Sequence, residues 1–326
     1  MQGKPPGACA FRVNGRIRPA DALGLNGKMK RRAVQRTHEA AAASRKHRLR
    51  NLALGNKQGK RNPWIGAAMS RIAIVTGASS GLGREFVKLI DGGAAGSIDE
   101  IWAIARRADR LDALVRTCKT AVRPFCLDLT DPVSYDVVEA SLAETPGTQV
   151  ALLINNAGAG TFGPFAKLSR DEVADQVNLL MRAPVELTYR ALPSMGRGAR
   201  IINVASVAAF IPQPDLTLYS SAKRFILDFT RALDAELGPV DIHATAVCPK
   251  YMRTEFFNEP GDVRAMQQMS IVGYERVTDV ARSALAAARA GKSLCIPSID
   301  MKALYALTRV LPYKAVIAAE RALGVI

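Results

Sequence analysis

Three side chains in the second half of the chain have the types and spacing of a proton-transfer site. Tyr219 and Lys223 stand four residues apart, and Ser206 precedes the tyrosine by thirteen. On a helix, positions i and i+4 share a face, so the phenol and the ammonium would point into one cleft. A phenol with an ordinary pKa of about 10 exchanges protons poorly at neutral pH. A fixed ammonium beside it favours the phenolate and brings that pKa toward the operating range. Ser206 ends an apolar run, where its hydroxyl can hold a carbonyl or alcohol oxygen beside the phenol. Such a set moves a proton while a hydride moves elsewhere.

A hydride donor needs a place of its own, and a second motif supplies one. Arg71 to Thr76 reads as a buried parallel strand. Gly77-Ala78-Ser79-Ser80-Gly81-Leu82-Gly83 follows, and then an amphipathic run from Arg84 to Ile90. A strand, a glycine-rich turn and a helix start cradle a phosphate, because backbone N–H groups and the helix dipole face the anion. The spacing is Gly-x-x-x-Gly-x-Gly rather than the commoner Gly-x-Gly-x-x-Gly. The next strand, Ile101 to Ala105, ends in Arg106 and Arg107, with no acid before Asp109. A carboxylate there would bind the ribose 2′-OH of NAD, whereas a guanidinium suits the 2′-phosphate of NADP. NADP is therefore the expected cofactor and NAD the lesser alternative. Arg106 and Arg107 are both expected to contact the cofactor, with Arg106 the phosphate partner, against a reading in which the arginines only open a solvated helix.

The elements that must position these groups alternate. Strands are predicted at 71–76, 101–105, 122–127, 150–154, 200–205, 242–248 and 293–296. Helices are predicted at 82–91, 109–118, 131–143, 169–192, 217–237 and 276–290. This alternation builds an α/β domain, a Rossmann-type doubly wound parallel sheet of about seven strands with helices on both faces. The stretch from Pro249 to Val277 is long for a connection and predicts a lid around 250–276.

Together these motifs resemble the short-chain dehydrogenase/reductase family, over about residues 70 to 300 and in the family's order. Thr76 to Gly83 matches its cofactor turn, which implies contacts from Gly77, Ser79, Ser80, Gly81, Leu82 and Gly83. Asp128-Leu129 matches the acidic residue that contacts adenine, and Asn155-Asn156-Ala157-Gly158 the motif ending the fourth strand. The resemblance implies that Asn155, Ala157 and Gly158 line the sugar and the ring. It also implies that Asn178 links Lys223 to solvent through a water, and that Ser206, Tyr219 and Lys223 are the catalytic set. Lys223 would additionally hold the nicotinamide ribose. Pro249 and Thr254 fall where the family contacts the carboxamide, but Lys250 stands where it usually has glycine. The implied reaction is NADP(H)-dependent interconversion of a carbonyl and a secondary alcohol. A non-catalytic NADP-binding regulator or scaffold is the alternative, and an intact Ser–Tyr–Lys set argues against it.

Apolar residues around Ser206 and Tyr219 (Ala208, Ala209, Phe210, Ile211, Pro212, Leu216 and Leu218), with Phe256, Phe257 and Met266 in the lid, suggest an acyl, steroid or lipid-like substrate. The stripe Phe225, Phe229, Leu233 and Leu237 suits a core or the interface of a homodimer or homotetramer, which the resemblance also implies.

The formal charge of +16 on 326 residues suggests a nucleic-acid binder until it is divided. Residues 1–70 hold 16 Lys or Arg against Asp21 and Glu39, whereas the rest holds 29 basic and 27 acidic residues. The basicity belongs to an extension at 1–69 that lacks the apolar residues of a core and is expected to be disordered; the catalytic domain spans 70–326. The plainest reading starts translation at Met69; an organelle-targeting peptide and a basic arm for nucleic acid or anionic lipid are the alternatives. No nucleic acid is expected on the domain itself. Five scattered cysteines form no C-x-x-C pair and suggest buried thiols in a reducing, cytoplasmic compartment. Three histidines without ligand spacing argue against a metal. No run of about eighteen apolar residues predicts a membrane span. The apolar stretch Met301 to Ile326 reads as a packed C-terminal helix, or as one lying over the substrate mouth or on a membrane surface.

Overall fold

A computed structural model describes residues 10–13, 16–19, 70–160, 163–255 and 273–322. The chain divides into two units, Met1–Lys60 and Arg61–Ile326. In the first, β1 (Ala10–Val13) and β2 (Arg16–Pro19) pair antiparallel, with Phe11 opposite Arg18. The rest of the basic extension, where disorder is expected, lies outside the described residues, as does Met69.

The described residues of the second unit begin with β3 (Ser70–Thr76), whose residues 72–76 are almost wholly buried. Its alternate side chains serve opposite faces of a sheet. Ala73 and Val75 join one apolar cluster, while Ile72 and Ile74 join the other. A strand buried on both faces must be apolar throughout, which is why the run Ile-Ala-Ile-Val carries no polar break. Glycine-turn helix α1 (Gly81–Asp91) leads to β4 (Glu100–Ala105), α2 (Ala108–Thr117), β5 (Ala121–Cys126) and α3 (Val133–Ala143). The chain then crosses back to β6 (Thr148–Asn155), on the other side of β3.

Beyond β6, α4 (Arg170–Val177) runs into a π-helical segment (Asn178–Arg182) and then α5 (Ala183–Ala191). The predicted helix 169–192 is therefore one rod with a wide turn inside it. β7 (Arg200–Val204), α6 (Thr217–Leu237) and β8 (His243–Val247) follow. Short β9 (Tyr251–Met252) and β10 (Tyr274–Glu275) pair parallel and bring together the two stems of the expected lid. Residues 256–272, with Phe256, Phe257 and Met266, lie outside the described residues. α7 (Val277–Arg289) and β11 (Leu294–Cys295) complete a seven-stranded parallel sheet in the order β11-β8-β7-β6-β3-β4-β5. Helices α1 and α7 pack in the first cluster and α3 and α5 in the second, so the sheet is covered on both faces. The strand order reverses between β3 and β6, and the carboxyl ends at such a point form a crevice.

The C-terminal stretch is two helices rather than one: α8 (Ile299–Thr308) and α9 (Tyr313–Ala322). Pro312 lacks the N–H that would continue the first. No helix among the described residues is long and apolar enough to cross a membrane.

Candidate functional site

The end of β3 is held open by its neighbour β6. Thr76 Oγ accepts the N–H groups of Asn156 and Ala157, both at 2.9 Å, and Asn156 Nδ2 donates to the Thr76 carbonyl at 2.9 Å. The glycine turn is folded tightly on this staple. Gly77 has φ +67°, and a Cβ on Gly83 would meet the Gly77 carbonyl oxygen at 2.1 Å. Only hydrogen fits there, so the first turn of α1 presents bare backbone N–H groups to the crevice.

That crevice is a cleft of about 600 Å³. Its walls include Gly77, Ser79, Ser80, Gly81 and Leu82 at one end and Ser206, Tyr219 and Lys223 at the other. Arg106, Arg107, Asp128, Leu129, Ala157, Gly158, Pro249 and Thr254 also line it. Most of the residues singled out by sequence thus share one surface. Thr254 leans on the turn so closely that a Cβ on Gly81 would lie 3.2 Å from its side chain. The cradle and the elongated cleft fit an adenine dinucleotide, with its diphosphate over the turn.

Asn155 is the exception among the strand-end residues. It turns inward, where Nδ2 donates to Asn203 Oδ1 at 2.8 Å and Thr188 Oγ at 3.0 Å. Asn203 in turn donates to Thr230 at 2.9 Å, so four buried polar side chains form one chain between β6, β7, α5 and α6. Asn156, not Asn155, lines the cleft. The pleat decides this, since successive side chains at a strand end point to opposite faces.

The two arginines, both expected at the cofactor, stand differently on the cleft wall. Arg106 is 72% exposed and lies 3.9 Å from Asp128. Arg107, in extended backbone ahead of α2, folds over the glycine turn and donates to Ser79 Oγ at 3.1 Å and Ser80 Oγ at 2.8 Å. Its Nη1 reaches Glu255 at 2.7 Å, and Arg110 Nη1 reaches the same carboxylate at 2.7 Å. Neither Arg110 nor Glu255 carries a sequence signal, since they meet across 145 residues. Asp128 closes its own turn by accepting from Thr130 N and Oγ at 2.9 and 2.8 Å.

At the other end, Ser206 follows β7 and its Oγ accepts the Ala208 N–H at 3.1 Å. Tyr219 sits in the first turn of α6, and the Ser206 hydroxyl hydrogen-bonds it. Lys223 follows one turn later, only 5% exposed, and donates from Nζ to the Val204 carbonyl at 2.8 Å. The electrostatics run against the expectation that the ammonium depresses the phenol. Burial pushes Tyr219 up to about 12, only partly opposed by the Ser206 bond. Burial also brings Lys223 down to about 8. Loss of hydration costs each charged form more than the neighbour returns.

Asn178 opens the π segment. Its carbonyl accepts the Ala183 N–H five residues on, the mark of that wide turn. A cavity of about 10 Å³, close to the space of one water, is lined by Leu179, Lys223 and Asn155 but not by Asn178 itself. Asn155 Oδ1 has no partner among the described residues.

Lys250 does not present a naked charge to the cleft. Its Nζ pairs with Asp300 at 2.7 Å, and its N–H bonds Glu275 at 3.0 Å. The pair joins the lid stem to the start of α8, whose Met301 and Leu304 line the cleft. Ala209 and Phe210, expected in the substrate pocket, pack instead in a core cluster with Ile226 and Leu227. None of the four described cysteines forms a disulfide; Cys248 and Cys295 are buried, but Cys126 is exposed, contrary to expectation.

Comparison with known proteins agrees with this geometry. The family model described as short chain dehydrogenase matches residues 71–265. D-erythrulose reductase of Gallus gallus is 31% identical over 224 residues, covering 66% of this chain and 87% of that protein. L-xylulose reductase of Mus musculus is 31% identical over 203 residues, 60% of this chain and 79% of that one. A solved short-chain dehydrogenase from Sphingobium yanoikuyae, in complex with NADPH, aligns with a TM-score of 0.61 at 26% identity, over 78% of this chain and 94% of its own.

Proposed function

The chain belongs to the short-chain dehydrogenase family, whose members interconvert C=O and CH–OH, and from that premise we propose that it reduces an apolar ketone with NADPH and Tyr219 as proton donor. The observation that carries this reading is that Tyr219, hydrogen-bonded to Ser206 and one helical turn before buried Lys223, shares a cleft with the glycine turn. At neutral pH Tyr219 keeps its proton, and it stands with Ser206 on the cleft that begins at the glycine turn. The cofactor, when bound, supplies the hydride. Ser206 holds the substrate oxygen, and Tyr219 gives that oxygen its proton. Lys223 keeps a positive charge behind the phenol, and the water-sized cavity that Lys223 and Asn155 line offers a way for the proton to be replaced.

NADP is favoured over NAD because Arg106, Arg107 and Arg110 cluster beyond β4, where an NAD site has a carboxylate. The solved relative from Sphingobium yanoikuyae holds NADPH, which supports the same choice. Gly77, Ser79, Ser80, Gly81, Leu82 and Gly83 hold the diphosphate, Asp128 and Leu129 flank the adenine, and Ala157, Gly158, Pro249 and Thr254 line the nicotinamide half. The two named relatives act on sugar ketones, but Ala208, Ile211, Leu216, Met301 and Leu304 give this cleft an apolar wall. That wall supports an acyl, steroid or lipid-like substrate. A homodimer or homotetramer in the cytoplasm is part of the same reading.

The test is a panel of sugar, acyl and steroid ketones with NADPH or NADH, followed by loss of the reduced-nicotinamide absorbance. Turnover of apolar ketones with NADPH, lost in Tyr219→Phe, supports the proposal. Turnover confined to sugars would overturn the substrate class, and undiminished turnover in Tyr219→Phe would overturn the mechanism.

A further inference from the structure

The cluster of cations beyond β4 already holds an anion, and that anion is part of the protein. Arg107 is braced by the hydroxyls of Ser79 and Ser80 at 3.1 and 2.8 Å, and gives its remaining Nη1 to Glu255 at 2.7 Å. Arg110, one helical turn on, reaches both Glu255 oxygens at 2.7 Å. Two guanidiniums therefore close on one carboxylate at the edge of the phosphate turn. A carboxylate and a phosphate offer guanidinium the same bidentate oxygen geometry, so a site built for one accepts the other. Glu255 follows Thr254, whose side chain lies against Gly81, and both residues line the cleft.

We propose that Glu255 is a cofactor-discriminating residue: it occupies the cations of the 2′-phosphate subsite, and NADP(H) must displace it from Arg107 and Arg110 whereas NAD(H) need not. The inference rests on the NADP reading above. A tethered carboxylate competes at a high local concentration, so it lowers affinity for any ligand whose phosphate needs the same guanidiniums. All three side chains are partly open to solvent, which keeps the effect moderate. The arrangement also holds Arg107 in place when no ligand is bound, so the subsite is preformed at the cost of a competitor.

The probes are adenosine 2′,5′-bisphosphate, which carries the 2′-phosphate, and 5′-AMP, which lacks it. Each is titrated calorimetrically into the full-length protein and into Glu255→Gln, which keeps the shape and removes the charge. The bisphosphate should bind the variant about three- to ten-fold more tightly, with 5′-AMP unchanged. If wild type prefers the bisphosphate but the variant gains nothing, or loses affinity, Glu255 is a positioning partner for the arginines and the inference falls while the NADP reading stands. If wild type and variant alike bind the two nucleotides equally, the 2′-phosphate subsite itself is absent and both readings fall.

Discussion

Lys223 stands 5.6 Å from the centre of the Tyr219 ring while its Nζ donates to the Val204 carbonyl at 2.8 Å. The lysine is committed to the end of β7 and reaches the phenol from behind, through space. Lys223 is buried and Tyr219 half-buried on the cleft wall, and the result is a phenol that holds its proton and an ammonium that is easily lost. Titration of the pair is governed by the lysine. As pH rises through about 8, Lys223 gives up its proton while Tyr219, near 12, keeps its own. The rate of ketone reduction should therefore be flat below this point and fall by up to about tenfold per unit above it. A pH–rate profile under saturating NADPH checks this, and a rate that climbs through pH 8 to 10 would contradict it.

Removing the phenol oxygen should separate binding from chemistry. In Tyr219→Phe, reduction should drop by about 10²- to 10⁴-fold, the usual worth of a placed proton donor. The diphosphate cradle lies at the far end of the cleft and is untouched, so NADPH titration followed by fluorescence should give nearly the wild-type affinity.

Gly83→Ala should do the reverse. Its Cβ would lie 2.1 Å from the Gly77 carbonyl oxygen and 2.6 Å from Asn156 Nδ2, so the turn must spread and the staple to β6 must shift. Overpacking of this kind costs about 1–3 kcal/mol, readable as a lower Tm. NADPH affinity should fall at least about tenfold as the N–H groups lose their common focus.

Those two variants touch the parts of the site most legible in the sequence. The central strands declare themselves because burial on both faces selects apolar runs, with Asn155 and Asn203 admitted only as hydrogen-bonded partners, and the glycine turn because close backbone approach forbids side chains. What stayed hidden depends on one-residue choices and long-range meetings. Asn155 and Asn156 are the same amino acid side by side, and only the pleat decides which one faces the cleft. Arg106 and Arg107 pose the same ambiguity. Arg110 and Glu255 have no local relationship at all. The π turn at Asn178 has no hydrophobic period that marks it, and the depressed Lys223 follows from its burial between α6 and the end of β7, which spacing alone does not reveal.

The apolar stripe on α6 divides in the same way. Leu233 and Leu237 pack against the second core cluster, whereas Phe225 and Phe229 stack on each other at 5.9 Å with Phe225 37% exposed. If α6 pairs across a symmetry axis, this outer pair is the seam. Phe225→Asp should then shift sedimentation toward the monomer without lowering Tm by more than about 1 kcal/mol equivalent, since the site is on the surface.

Lys250 offers the sharpest separation of substrate from cofactor. Its bond to Asp300 ties the chain after β8 to the first turn of α8, and Met301 and Leu304 on that helix face the cleft. Lys250→Gly restores the residue usual in the family and cuts the tie. KM for an apolar ketone should rise about three- to ten-fold, with NADPH affinity unchanged, because the loosened helix end is a substrate wall. Asp300→Asn should give the same shift by removing the other partner. The double variant should add little to either, since both changes delete one interaction. Shifts that sum in the double variant would instead mean that each side chain acts alone, and that the bridge does not set the position of α8.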